Sequence, residues 1–120
     1  MNDFVIKLFK KLFLLFLLNS ILSSAFANEF EIKAEKVNYK NTENKIIAEG
    51  NASAKNQDGK QIFANKIIYF KNKGLIQTFG NSKFIDDNKT LKADEFSYNI
   101  NSKIINAVGN VVFIDQEKNK

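Results

Sequence analysis

Apolar and polar residues alternate along most of the chain after residue 29, with the two-residue period of β-strands that bury one face. The first example runs from Phe30 to Glu35, where Phe, Ile and Ala alternate with Glu and Lys. Clusters rich in Asn, Asp and Gly interrupt the pattern at positions 41–44, 56–59, 71–74, 86–88 and 99–102, as expected of turns. No helical period follows Ala27. The pattern therefore predicts six or seven antiparallel strands and an all-β fold.

The same pattern is repeated three times, in residues 32–54, 62–84 and 91–113. Each copy has an Ala, a Tyr five residues later, and a Gly eleven residues after that Tyr, with Asn following the Gly. Successive copies begin at intervals of 30 and 29 residues. We interpret the three copies as one structural unit of about 30 residues, because fixed internal spacing is typical of repeat architectures.

Two irregularities recur in every copy. The alternation slips by one residue after the Ala, for example between Ala34 and Val37, and such a slip reverses the face to which the side chains point. We therefore expect a β-bulge or corner there, which folds each strand over onto a second layer. The Gly-Asn pair lies inside a strand, where Gly indicates a bulge or a close approach of two backbones. We expect its Asn to point to the other face and bond a neighbouring backbone.

The face opposite the Ala and Tyr columns changes along the chain. In the first copy it carries Lys45, Ile47, Glu49 and Ser53, whereas in the third it carries Ile104, Asn106, Val108, Val112 and Ile114. The last strands are therefore apolar on both sides. We expect a ligand or another protein to cover this end.

The first 27 residues have the order of a secretory signal peptide. Three lysines precede the apolar run Leu12–Leu18, and Ala25-Phe26-Ala27 provides a cleavage site after Ala27. The run is shorter than the about 20 apolar residues that span a bilayer, although an uncleaved anchor is the alternative. We therefore predict a signal peptide at 1–27 and an exported domain at 28–120.

Composition excludes several functional classes. The chain has no Cys, His, Arg or Pro, which removes thiol and imidazole chemistry and the usual zinc ligands. Three of the 18 lysines and one of the 13 acidic residues lie before residue 28, so the exported part has a net charge of +3, too little to favour nucleic-acid binding. Asp94 and Glu95 are adjacent, but neighbours on a strand point to opposite faces and form no acid–base pair. We predict no enzymatic activity, no cofactor and no metal site.

The repeated elements resemble the organic-solvent-tolerance (OstA-like) domain family of lipopolysaccharide transport. The residues that carry the resemblance are Ala34–Tyr39 with Ala48–Asn51, Ala64–Tyr69 with Gly80–Asn81, and Ala93–Tyr98 with Ala107–Asn110. Together they cover residues 30–114, almost all of the predicted exported domain.

The resemblance implies an open, twisted antiparallel β-jelly roll, a folded-over sheet whose apolar interior holds the acyl chains of lipopolysaccharide. It implies a non-catalytic periplasmic protein that binds lipopolysaccharide, or its lipid A part, and bridges the route to the outer membrane. Its edge strands would pair with other OstA-like proteins, LptC-like or LptD-like, or with further copies head to tail. The cleavage site favours an LptA-type protein over an anchored LptC-like subunit. The alternative from a different class is a secreted structural or adhesive β-repeat module without a lipid ligand.

The lipid-binding residues that the resemblance implies are the apolar interior positions of the three copies. They are Ile32, Val37, Tyr39, Ile46, Ile62, Ile67, Tyr69, Ile76, Phe84, Leu91, Phe96, Tyr98, Ile105, Val111 and Phe113.

Overall fold

A computed structural model describes residues 29–116 and consists of one antiparallel sheet of eight strands. The strands are β1 (Glu31–Lys33), β2 (Lys36–Lys40), β3 (Lys45–Lys55), β4 (Gln61–Phe70), β5 (Leu75–Asp86), β6 (Lys89–Asn99), β7 (Ile104–Val108) and β8 (Val112–Asp115). The predicted signal peptide lies outside the described residues. Within 29–116, no helix has the length and apolar character needed to cross a membrane.

The sheet follows the order of the chain. Strands β3 to β6 are long, and each pairs with its neighbours on both sides of the corner that the sequence predicts. At the two ends, β1 and β2 both pair with β3, and β7 and β8 both pair with β6. The structure has eight strands rather than six or seven because the first and last long strands are each broken at the corner. The first two strands do not pair with the last two, so the described sheet is open at both edges.

The turns between Tyr and the next strand are stacked on one another. Short 3-10 segments at Asn41–Glu43 and Lys71–Lys73 end at Asn44 and Gly74, which adopt positive φ angles of 49° and 61°. Asn and Gly tolerate this left-handed conformation, so the predicted turns are confirmed. The amide of Lys71 donates to the carbonyl of Asn44 at 3.1 Å, and the amide of Ile100 donates to that of Gly74 at 2.8 Å. The turns therefore continue the repeat order beyond the strands.

A β-bulge lies at each Gly-Asn pair. Between β5 and β6, Phe79 pairs with Glu95 and Ser82 with Ala93, so two residues of β5 face one residue of β6. The bulge bends the strand sharply. The hydroxyl oxygens of Thr78 and Ser82 lie 2.7 Å apart, whereas four residues of straight strand would span about 13 Å. The predicted corner is confirmed.

The bends bring distant parts of the sheet together as two layers. The rings of Phe84 and Tyr98 lie 5.0 Å apart between centroids, although Phe84 pairs with Leu91, about 23 Å along a straight strand from Tyr98. Phe30, just before β1, meets Tyr98 at 6.2 Å, although four strand spacings, about 19 Å in a flat sheet, separate β1 from β6. The all-β, folded-over open sheet predicted from the sequence is therefore confirmed.

Candidate functional site

Each Gly-Asn corner is fastened to its own repeat on the outer face of the sheet. The Asn side chain donates a hydrogen bond to the side chain that follows the repeat's Ala. The pairs are Asn51 with Glu35 at 2.7 Å, Asn81 with Asn65 at 3.5 Å, and Asn110 with Asp94 at 3.0 Å. The expectation that this Asn bonds a backbone group is wrong, because its amide donates to a side chain. The neighbouring backbone is bonded by the carbonyl of the Gly, which accepts from the amide of Glu35 in the first copy and from that of Asp94 in the third.

The Gly of each corner is required for two reasons. Gly80 adopts a φ of +82°, a region that L side chains rarely occupy. A Cβ on Gly80 would also lie 2.5 Å from Nδ2 of Asn65, too close for any real contact. Of the two features that the sequence predicts for this Gly, the bulge is confirmed, whereas the close contact is with a side chain and not with a second backbone. The corner is a structural element of the repeat.

The inner face is a set of three apolar rows that cross the sheet, because residues paired across strands lie on the same face. Two rows lie on one layer: Val37–Ala48–Ile67–Thr78–Phe96–Ala107 and Tyr39–Ile46–Tyr69–Ile76–Tyr98–Ile105. The third row lies on the other layer: Ile32–Ala54–Ile62–Phe84–Leu91–Phe113. These rows contain every predicted lipid-binding residue except Val111, which lies just before β8.

Burial divides the predicted lipid-binding residues into three groups. Seven are buried, namely Ile62, Ile67, Tyr69, Ile76, Phe84, Phe96 and Tyr98. Four are partly buried and pack against that core, namely Ile32, Ile46, Leu91 and Ile105. Four are exposed, namely Val37, Tyr39, Val111 and Phe113. The two layers therefore close on each other in the centre and leave inner-face side chains accessible at both ends of the sheet.

The open ends are the accessible part of the inner face. Tyr39 is 53% exposed at the first edge, and Phe113 is 61% exposed at the last, whereas Ile62 and Ile76 in the centre are fully buried. A ligand lying along the inner face would contact the two ends directly. It reaches the centre only where the two layers separate.

A pair of buried hydroxyls lies in the centre of this apolar interior. The amide of Phe96 donates to Oγ1 of Thr78 at 3.0 Å, the Thr78 hydroxyl donates to Oγ of Ser82, and Ser82 donates to the carbonyl of Asp94 at 3.1 Å. The chain satisfies two backbone groups of β6 beside the bulge. Sequence reasoning missed this role, although the signal was present: the columns that hold Ala48 and Ala52 in the first copy hold Thr and Ser in the second.

The buried interior carries no charge. Among the described residues, Thr78 and Ser82 are the only buried polar side chains, and no buried side-chain nitrogen or oxygen lacks a hydrogen-bond partner. Burial raises the pKa of both Tyr69 and Tyr98, with a smaller contribution from the carboxylates of Glu29 and Asp86 respectively. Within 29–116, no group of three potential ligands gathers as a metal site. An interior of this kind suits hydrocarbon and does not suit a charged group.

The last edge is apolar on both faces, as the sequence predicts. Ile104, Val108 and Val112 point to the outer face and are 57%, 67% and 49% exposed. Unpaired edge strands with exposed apolar side chains are templates for pairing with another strand. The first edge differs: β2 exposes Val37 and Tyr39 on the inner face, whereas its outer face carries Lys36, Asn38 and Lys40.

No family model matches this sequence, and no curated protein sequence matches it. Its structure is similar to the crystal structure of LptH, the LptA-homologous periplasmic component of the conserved lipopolysaccharide transport device from Pseudomonas aeruginosa. The two chains are 10% identical, and the match covers 77% of this chain and 99% of that one with a TM-score of 0.51. At this identity the likeness establishes the fold.

Proposed function

We propose that this chain is a non-catalytic periplasmic protein that binds lipopolysaccharide through its lipid A acyl chains and forms part of a bridge to the outer membrane. The observation that carries the proposal is the uncharged inner face, which is open at both ends of a folded-over sheet. The likeness of fold to LptH, a component of lipopolysaccharide transport by its name, supports the same function.

The proposed ligand contact begins at the open ends. Burial of an acyl chain contributes about 0.8 kcal/mol for each CH₂ group, so a few methylenes against Tyr39 or Phe113 provide a measurable affinity. When an acyl chain enters the centre, contacts between the two layers are replaced by contacts with the acyl chain. The inner rows continue from one edge to the other, so such a chain stays in an apolar environment along the sheet.

The proposed partners are other OstA-like domains, LptC-like or LptD-like, and further copies of this chain, bound by edge-strand pairing. The internal repeats specify the register between copies. Ile47 pairs with Ile68 between the first two repeats, and Gln77 pairs with Ser97 between the next two. Continued by one repeat, the same register places Asn106 of one copy opposite Asn38 of the next.

Engineered cysteines test this register, because the chain contains no cysteine of its own. Directly opposite residues of antiparallel strands have Cα atoms about 4.5–5.5 Å apart, within the range that disulfides span. We expect a mixture of Asn106→Cys and Asn38→Cys proteins to form a disulfide dimer under mild oxidation. The control pairs Asn106→Cys with Val37→Cys, whose side chains would point to opposite faces. Equal yields from both pairs would refute the proposed register.

Lipid binding is tested at the accessible end of the inner face. Phe113→Asp places a charge where an acyl chain would lie, whereas Val112→Asp places the same charge on the outer face of the same strand. Both positions are about half exposed or more, so both variants should fold. We expect Phe113→Asp to weaken lipopolysaccharide binding at least tenfold relative to Val112→Asp, which corresponds to about two methylene groups.

The filled centre of the sheet favours one alternative, a secreted structural or adhesive β-repeat module without a lipid ligand. Under that alternative, the wild-type chain and both Asp variants would show no saturable binding of lipopolysaccharide. A third reading, an LptC-like subunit that keeps its first segment as an anchor, is tested separately by determining the amino terminus of the mature protein in cells. A terminus at Asn28 would support the LptA-type reading.

A further inference from the structure

The outer face is divided by the corners into two halves with different charge patterns. In the half formed by β1, β8 and the adjacent halves of β3 to β6, one row crosses the sheet as Lys33–Ser53–Phe63–Lys83–Lys92–Val112. The next row is Glu31–Lys55–Gln61–Ile85–Thr90–Ile114. We name this surface the basic half-face. It carries four lysines and one carboxylate, that of Glu31, whose Oε1 lies 3.5 Å from Nζ of Lys33 and which is the cross-strand partner of Lys55.

The most unusual feature of the basic half-face is a pair of lysines directly opposite each other. Lys83 and Lys92 are cross-strand partners, an arrangement that destabilises a sheet through repulsion between like charges. Within residues 29–116, neither of them nor Lys55 forms an ion pair with a carboxylate. Asp94 lines the same pocket as Lys83 and Lys92 but forms no ion pair with either, so an external anion would relieve the repulsion.

The other half of the outer face, which we name the balanced half, is closer to charge balance. In its row next to the corner, Lys36 pairs with Glu49, Glu49 pairs in turn with Lys66, and Glu95 lies in the same row. Opposite charges alternate across these strands, and such pairs stabilise a sheet. The row farthest from the corner also opposes two lysines, Lys40 and Lys45, but Lys45 forms an ion pair with Glu43 at 2.8 Å.

Phe63 lies in the centre of the basic half-face and is partly buried. The ammonium groups of Lys55 and Lys83 lie 5.8 Å and 5.9 Å from its ring centroid, within the range of a cation–π contact. These cations compete with any sugar or base that would stack on the ring. The basic half-face therefore offers ammonium groups to an external anion, and the Phe63 ring and the Ile85 side chain lie on the same face between them.

We propose that the basic half-face docks onto the surface of an anionic lipid bilayer. Lys55, Lys83 and Lys92 contact lipid phosphates, and Phe63 lies at the boundary between headgroups and acyl chains, where aromatic side chains are favoured. A phosphate free in solution would use the lysines and gain nothing from the apolar side chains between them. Docking would hold the transport protein against the membrane from which its lipid departs, a role beyond lipid binding itself.

Vesicle binding tests the proposal with two double variants that remove the same charge. Lys83→Gln with Lys92→Gln alters the basic half-face, and Lys36→Gln with Lys66→Gln alters the balanced half. The probes are vesicles of phosphatidylcholine alone and of phosphatidylcholine mixed with phosphatidylglycerol. We expect wild type to bind only the mixed vesicles. The first variant should lose about 25-fold in affinity, or about fivefold for each lysine near the surface, and the second much less.

Every other outcome overturns the proposal. Equal binding of both vesicle types would indicate capture of single lipids by the inner face. Equal losses in the two double variants would indicate a general effect of net charge. Binding of inorganic phosphate that depends on Lys83 and Lys92, without binding of mixed vesicles, would indicate a phosphate site. Thermal unfolding of each variant shows that the fold is retained, and the lipopolysaccharide-binding assay on the same variants separates this proposal from the proposed function.

Discussion

Replacement of Gly80 by Ala tests whether the corners depend on glycine for the contact between strands as well as for backbone conformation. Gly80 and Gly59 have nearly the same φ angle, +82° and +88°. Their surroundings differ: a Cβ on Gly80 meets the Asn65 side chain, whereas a Cβ on Gly59 meets nothing within 4 Å. Gly59→Ala is therefore a matched control for the backbone contribution.

The expected magnitudes follow from these two surroundings. An L-residue in a left-handed conformation costs roughly 1–2 kcal/mol, and both variants carry that cost. Gly80→Ala also forces the exposed Asn65 side chain to move and breaks its hydrogen bond from Asn81, and the net loss of one hydrogen bond costs about 0.5–1.5 kcal/mol. We expect Gly80→Ala to lower the free energy of unfolding by about 1.5–3.5 kcal/mol, against about 1–2 for Gly59→Ala.

Thermal unfolding followed by far-ultraviolet circular dichroism measures both variants, since the chain has no Trp for fluorescence. For a domain of this size, 1 kcal/mol corresponds to a Tm shift of roughly 4–8 °C. Gly80→Ala should therefore unfold at least about 2 °C below Gly59→Ala. Equal Tm values for the two variants would refute the contribution of the Asn65 contact, and the corner glycines would then be explained by φ alone.

Two further predictions concern the interior. Thr78→Val removes the hydroxyl that accepts from the buried amide of Phe96 and should lower the free energy of unfolding in urea by about 1–3 kcal/mol. Thr42→Val, in an exposed turn, should lower it little. Equal losses would contradict the role of the hydroxyl chain. Burial raises the pKa of Tyr69 and Tyr98, so the folded state retains protons that the unfolded state loses. Stability should therefore fall as the pH rises above about 10, the ordinary Tyr value, and Tyr98→Phe should flatten that decline in alkaline unfolding curves; an unchanged slope would contradict it.

The repeat columns of the sequence contain most of the fold. Fixed spacing between Ala34, Tyr39 and Gly50, recurring twice more, was sufficient to place the strands, turns and corners, because each is a local consequence of side-chain period and Gly conformation. The face to which each inner side chain points also followed from the local two-residue period. The slip after Ala34 predicted the bend, and the bend is present.

What the sequence left out depends on contacts between layers. Nothing in the local pattern around Phe30 indicates that it meets Tyr98, because that contact exists only after four strands have bent and curled over. The closure of the centre around Ile76 and the openness at Phe113 likewise depend on how the two layers meet. Such long-range packing is not encoded in the period of one segment.

The hydroxyl chain shows a second limit. Thr78 and Ser82 occupy columns that hold Ala in the first copy, and a comparison of columns marks them as different without giving a reason. The reason lies on β6, where the hydroxyls bond the amide of Phe96 and the carbonyl of Asp94 beside the bulge, and only the paired strand reveals these partners.

The most direct test of the proposed function is photo-crosslinking in growing cells, with a photoreactive amino acid placed at Phe113 and, as the control, at Val112. Both side chains are exposed, and they point to opposite faces of β8. The proposed function predicts a lipopolysaccharide adduct at Phe113 and little or none at Val112. Equal labelling at the two positions, or a peptide or polysaccharide adduct in place of lipopolysaccharide at Phe113, would contradict it.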